Sequence, residues 1–203
     1  MTAEEFYGPA FKRLELAKKQ VLDTISNYET DTTNEMKIIQ YCISRIKSPL
    51  SMINKLKKIG VPVNYQSALT EVHDAVGIRI ICSFIDDIYK IASWLEEREE
   101  FTILKTKDYI AYPKENGYRS YHMILRIEEG AGAGVEVEVQ IRTIALDFWA
   151  NLEHQLKYKK EIKNEELIRG ELKRCADEIA SIDFSMQTIK DLIFDECLEE
   201  EIR

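Results

Sequence analysis

Apolar residues recur at roughly helical spacing over residues 3–29, where Phe6, Phe11, Leu14, Leu16, Val21, Leu22 and Ile25 form a stripe. The polar run 31–34 breaks it, and Asn34 is placed to cap a second helix ending near residue 45. Ser48 and Pro49 read as an N-cap with proline at the first helical position, predicting a third helix to residue 59, stopped by Gly60 and Pro62. From residue 75 the period changes. Residues 75–83 are a branched apolar run of the kind buried strands carry, and 101–110, 117–127 and 134–143 are further strand candidates. Helical spacing returns over 86–98, 144–159 and 164–199. Helices, then strands, then helices predict an α+β fold with a largely antiparallel sheet and long N- and C-terminal helices.

Along the last helix Leu172, Cys175, Ile179, Ile182, Met186, Ile189 and Ile193 alternate spacings of three and four, a heptad seam of about three repeats. Packing on its own domain and packing between subunits would both produce it. The expected division is a catalytic unit over 1–160, with N-terminal helices in 3–59 and the sheet and its helices in 66–160. Residues 161–203 would form a helical oligomerisation arm.

Composition narrows the function classes. With 203 residues and 45% apolar content the chain can bury one core, and 10 Tyr and 7 Phe argue against disorder. No apolar run approaches the ~18 residues that span a bilayer, and the acidic start is unlike a secretory signal. Cys42, Cys82, Cys175 and Cys197 are too widely spaced for a zinc or redox pair. The expectation is a reduced cytoplasmic protein without membrane contact. The formal charge of −8 seats −7 in residues 161–203, whereas residues 36–70 carry no acid and six bases. That contrast points to a local anion-binding surface, although a solvated basic helix face has the same composition.

Four segments could carry chemistry. In VEVEVQIRT (135–143) strict alternation sends the aliphatic residues to one face and Glu136, Glu138, Gln140 and Arg142 to the other, a set able to hold a hard cation and orient an anion. A solvated strand face would alternate identically. In KENGYRSYH (114–122) Tyr118, Ser120 and His122 share a face beside Asn116 and Gly117, so a ring could meet a nucleobase while Lys114 and His122 meet phosphates; a hairpin with a half-buried tyrosine is the plainer reading. Lys47, Ser51 and Lys55 recur every four residues where a helix begins, and free backbone N–H groups there suit a triphosphate. Asp74, in HDAVGIR (73–79), precedes a strand, where a carboxylate could take Mg²⁺. With only three histidines (His73, His122, His154), zinc and His-Asp phosphohydrolase sites are set aside.

Taken in order, RIKSPLSMINK (45–55), HDAVGIRIIC (73–82), KDYIAYPKENGYRSYH (107–122), EVQIRT (138–143) and DFWANLEHQLKYKK (147–160) make the chain resemble the synthetase domain of the RelA/SpoT family, in particular the stand-alone small alarmone synthetases of the RelQ type. No string matches the hydrolase or regulatory domains of the long relatives. The resemblance implies a nucleotidyltransferase-like fold with a mixed, largely antiparallel sheet of about five strands. It implies transfer of pyrophosphate from ATP to the 3′-hydroxyl of GDP or GTP, releasing AMP, without hydrolase activity.

It further implies that Arg45 and Arg79 sandwich adenine, that Lys47, Ser51 and Lys55 hold the ATP phosphates, and that Asp74 and Glu138 bind Mg²⁺, with Glu138 also the base. Tyr118 would stack on guanine, Asn116 read its edge, Lys114 and His122 steady the acceptor phosphates, and Gln140 and Arg142 support them or contact phosphate. A homotetramer, with a longer alarmone as effector and single-stranded RNA competing in its central cleft, is implied too. A same-fold transferase acting on a tRNA 3′ end and a non-catalytic RNA-binding relative are the alternatives. Intact Tyr118 and Asn116 count against the first, and intact Asp74 and Glu138 against the second.

Overall fold

The computed structural model describes residues 1–28, 36–157 and 164–201, with side chains up to residue 194. The N-terminal stripe is split where Gly8 and Pro9 stand. Thr2 and Glu5 close a capping box on α1 (Ala3–Tyr7), Gly8 takes φ +51°, and a 3-10 turn (Gly8–Ala10) leads into α2 (Phe11–Ser26). Leu14, Ala17, Val21 and Ile25 are buried along α2, so the apolar period survives although one helix over 3–29 does not.

The second predicted helix is a strand. β1 (Ile39–Ile46) has Tyr41, Ile43 and Arg45 on its outer side and Cys42, Ser44 and Ile46 turned inward, a period of two. Its β-branched and aromatic residues suit a pleated edge, and pairing with the next strand supplies the backbone partners a helix would have supplied internally. Asn34, the expected cap, lies outside the described residues. The prediction for the following helix agrees with the structure. In α3 (Pro49–Ile59) Ser48 Oγ accepts from the Ser51 N–H at 3.4 Å, and Gly60 closes the helix at φ +76°.

After α4 (Tyr65–Thr70) come β2 (Val76–Cys82), α5 (Ile85–Glu96), β3 (Phe101–Asp108), β4 (Tyr121–Ile127), β5 (Glu136–Thr143), α6 (Ile144–Lys157) and α7 (Glu165–Glu201). The sheet order is β1-β2-β5-β4-β3, and only the β2–β5 pair is parallel. Ile78, Ile80, Met123, Leu125, Val137, Val139 and Ile141 are at most 2% exposed and form the core with α2 and α5. At about 1.5–3 kcal/mol per buried aliphatic side chain, this layer holds the sheet rigid enough to present its other face.

α7 divides into two parts. Leu172, Cys175, Ala176 and Ile179 pack with Trp149, Ala150 and Tyr118, and Trp149 Nε1 donates to the Leu172 carbonyl at 2.9 Å. Thr143 Oγ1 accepts from the Leu146 N–H at the start of α6 and donates to Asp183 at 2.6 Å, while Lys190 reaches Asp86 and Asp87. Ile182, Met186, Ile189 and Ile193 are 48–61% exposed. The heptad seam therefore rests on its own domain in its first half and is uncovered in its second. Among the described residues no helix is long and apolar enough to cross a membrane, and Cys42, Cys82 and Cys175 are free.

Candidate active site

Alternation along the strands puts polar side chains on the sheet face opposite the core. Register aligns Arg45 with Gly77 and Glu138, and Arg79 with Gln140 and His122. Gly77 lies between Arg45 and Glu138, and a Cβ there would make only ordinary contact with the Arg45 side chain, at 3.8 Å. A cleft of about 360 Å³ runs over this face, lined by Arg45, Arg79, Tyr118, Glu138, Gln140 and Glu153 among others.

One end of the site is a knot of charge. Lys47 follows β1 and Lys55 lies on α3; their ammonium groups reach the same Asp74 oxygen, Oδ2, at 2.8 and 2.7 Å. The other oxygen, Oδ1, is buried without a hydrogen-bond partner. A buried, unpaired carboxylate oxygen is costly unless a cation takes it. Tyr7 Oη donates to the Lys47 carbonyl at 2.8 Å, and the Lys47 N–H to the Ala75 carbonyl at 2.8 Å, so α1 and the approach to β2 both hold this corner. Ser51 is exposed in the first turn of α3, its hydroxyl accepting from Ser48 at 2.9 Å.

The other end is wired internally. Arg142, 3% exposed, donates from Nε to Ser120 (3.3 Å), from Nη1 to Asp147 (3.0 Å), and from Nη2 to Tyr118 Oη (2.7 Å) and Gln140 Oε1 (2.8 Å). A guanidinium can only donate, so Tyr118 Oη accepts from it and also shares a hydrogen bond with His122 Nε2 at 2.8 Å. His122 Nδ1 then faces Glu138 Oε1 at 3.3 Å, and Gln140 Nε2 donates to Glu138 Oε2 at 2.9 Å. Burial alone would raise the Glu138 carboxyl, but the hydrogen bond and charge of His122, with Gln140 and Lys55, pull it down to about 2. Glu138 is thus an anion throughout the physiological range.

The Tyr118 ring has the Lys114 ammonium 4.6 Å from its centroid and the Arg142 guanidinium carbon at 5.2 Å. Asn116 Nδ2 donates to Glu153 Oε1 at 3.0 Å. Tyr118 and Ser120 precede β4 rather than lying on it, because the turn at Gly117 (φ +86°) is pressed onto α7. A Cβ there would stand 2.5 Å from the Ala176 Cβ.

Residues 44–163 match the family described as the region found in RelA/SpoT proteins. The chain belongs to that family. It is similar to GTP pyrophosphokinase YwaC of Bacillus subtilis, 43% identical over 155 residues (75% of this chain, 74% of that one), and to GTP pyrophosphokinase YjbM of the same organism, 33% identical over 187 residues (91% and 85%). Among solved structures it is similar to small alarmone synthetase 1 from Bacillus subtilis bound to its product pppGpp, with TM-score 0.81, 30% identity and coverage of 94% of this chain and 98% of that one. It is also similar to small alarmone synthetase 2 from that organism, with TM-score 0.78, 37% identity and coverage of 88% and 96%.

Most of the residues singled out from the sequence lie on or beside this sheet face, in two groups. Arg45, Gly77, Arg79, Tyr118, Glu138, Gln140 and Arg142 line the cleft, and His122 hydrogen-bonds to two of them. Lys47, Lys55 and Asp74 cluster together beside the cleft, with Lys55 close enough to act on Glu138; Lys114 and Asn116 lie at the Gly117 turn, and Ser51 stands in the first turn of α3, bonded to Ser48. Sequence reasoning missed the α6 contribution. Asp147, Asn151 and Glu153 reach the cleft or its arginines from that helix. Their spacing of four and two residues was readable in DFWANLEHQ, but helical period does not say which neighbour a face meets.

Proposed function

We propose that this protein is a (p)ppGpp synthetase, transferring the β,γ-pyrophosphoryl group of ATP to the 3′-hydroxyl of GDP or GTP. The reading rests on a cleft that holds a Glu138–His122–Tyr118 network and on Asp74 beside it, whose Oδ2 is shared by two lysines while its buried Oδ1 has no partner.

Arg45 and Arg79 flank adenine, while Lys47, Ser51 and Lys55 take the phosphates. Asp74 and Glu138 are the residues that would hold Mg²⁺. The bare Asp74 Oδ1 fits that role, and Mg²⁺ commonly binds one or two carboxylates plus substrate phosphates. When bound, the ion neutralises charge on the phosphates and on the departing AMP. Lys47 and Lys55, which here hold Asp74 Oδ2, would turn to the ATP oxygens. The guanine ring lies on Tyr118 once Lys114 moves from that ring to phosphate, and Asn116, oriented by Glu153, reads its edge.

The acceptor O3′ attacks the β-phosphorus, the bond from that phosphorus to the α,β-bridging oxygen breaks, and AMP leaves with the oxygen. The hydroxyl proton passes to Glu138, which exchanges its His122 contact for the ribose hydroxyl. Losing that partner restores some basicity to a carboxylate that is otherwise a weak base.

Incubation with ATP, Mg²⁺ and each of GMP, GDP and GTP, resolved by anion exchange, tests this. AMP together with a pyrophosphorylated guanine nucleotide supports it; no product sinks it, and product on tRNA alone favours the alternative acceptor. With Cys42, Cys82 and Cys175 free among the described residues, a reducing cytoplasm is the setting assumed.

The uncovered half of α7, with Ile182 and Met186 beside Phe148 on α6 and Ile189 exposed further along, is the face a second copy would cover in a homotetramer. Any cleft for an alarmone effector or single-stranded RNA belongs to that assembly. A monomer by light scattering at micromolar concentration would refute it.

A further inference from the structure

Two of the cleft arginines are tied to a single carboxylate that no expectation from sequence singled out. Asp147 lies in the first turn of α6, where helix N–H groups favour an anion, and it is 2% exposed. Its Oδ1 accepts from Arg79 Nη1 and from Arg142 Nη1, each at 3.0 Å. Its Oδ2 accepts from Asn151 Nδ2 at 2.9 Å, and Asn151 Oδ1 accepts from the same Arg79 Nη1 at 3.0 Å. The Tyr41 phenol on β1 also borders it.

Arg79 Nε is buried without a partner, so among the described residues Asp147 and Asn151 are the anchors that set the plane of this guanidinium. A planar guanidinium fixed at one nitrogen keeps both its place and its stacking face. Arg142 carries Tyr118 and Gln140 on its other nitrogen, so whatever positions Arg142 positions the guanine platform and, through Gln140, Glu138. The two arginines carry like charge in a shared low-dielectric setting. Burial and then the Arg142 charge push Arg79 below its usual range, and Asp147 opposes this.

We propose that Asp147 is a positioning residue that holds the ATP half and the guanine half of the cleft in register, by fixing Arg79 and Arg142 from one oxygen. It touches neither nucleotide. The inference rests on the assignment of Arg79 to ATP and of Tyr118 to the guanine nucleotide.

The test measures, by calorimetry on the full chain, binding of a non-hydrolysable ATP analogue and of GDP separately. Asp147→Ala is expected to weaken both, each about ten- to a hundredfold, the scale of lost charge-assisted hydrogen bonds. Asp147→Asn keeps one acceptor oxygen and is expected to recover most of the loss on at least one nucleotide. Asn151→Ala removes a direct anchor of Arg79 and reaches Arg142 only through Asp147, so it should weaken the ATP analogue more than GDP.

If Asp147→Ala does not fold, the affinities of Asn151→Ala and of Asp147→Asn for the two nucleotides decide. Folded variants at position 147 that lose melting temperature but bind both nucleotides as wild type would overturn the proposal, as would loss confined to one nucleotide, or Asn151→Ala weakening both equally. A wild-type protein that binds both nucleotides yet forms no pyrophosphorylated product would instead overturn the assigned reaction and leave the positioning role standing.

Discussion

At the end of the cleft proposed for ATP, Lys47 and Lys55 share one oxygen of Asp74 while the other oxygen has no partner. At the guanine end, Arg142 alone makes four hydrogen bonds, and every group between it and Glu138 is engaged. The first arrangement is a set of charges waiting to be rearranged. The lysines neutralise Asp74, and in the proposed reaction they would be redistributed to phosphates. The second is assembled before the ligand comes, so less ordering remains to be done on binding. Charge therefore does different work in the two halves, storing partners for a polyanion in one and fixing geometry in the other.

The deepest loss should come where the halves meet. Glu138→Gln is expected to lower turnover at least about 10³-fold, about 4 kcal/mol of barrier, while both nucleotides still bind within a few-fold. Near-normal AMP production by that variant would remove Glu138 from its role. Asp74→Asn should cost about a hundredfold at fixed Mg²⁺ and raise the Mg²⁺ concentration needed for half-maximal rate, because it removes the charge on the bare oxygen. An unchanged Mg²⁺ titration would mean that the ATP end is not a cation site.

At the guanine end, Tyr118→Ala should weaken GDP binding about tenfold and spare the ATP analogue, on the scale of one base–aromatic stack. Tyr118→Phe separates stacking from wiring. It keeps the ring, so GDP affinity should hold while turnover falls with the lost link between Arg142 and His122. Equal loss of both nucleotides in Tyr118→Ala would erase the distinction between the halves.

The smallest effect is a control outside both. Burial raises the Asp183 carboxyl even though Thr143 donates to it. A carboxylate raised in the folded state contributes stability below its unfolded value, about 4, and loses it as pH rises through the folded value. Asp183→Asn should therefore raise the melting temperature at pH 7 and not at pH 4, with the activity of either half little changed. A melting temperature unchanged at pH 7 would show that the carboxylate carries no burial cost.

Much of this is readable in the chain, for reasons particular to each element. VEVEVQIRT alternates so strictly that β5, its buried aliphatic face and its polar face follow directly. Ser48-Pro49 and Gly60 bracket α3 because both ends depend on local backbone chemistry. β1 defeats a local reading because a short run of branched and aromatic residues satisfies a helical or a strand period, and the partner that decides between them, β2, lies thirty-odd residues further on. Likewise the heptad spacing of α7 does not say that Leu172 to Ile179 are covered and Ile182 to Ile193 left open.

By itself the chain determined its family, most of its strands and helices and the polar residue types that line the cleft, because those depend on patterns within a few residues. Only the tertiary structure decided that one Asp74 oxygen stays bare, that Arg142 is spent on protein contacts, and that Asp147 serves two arginines 68 and five residues away. Those outcomes depend on sheet register and on how α6 lies across the strands, and no local period encodes the distance between side chains that the fold alone brings together.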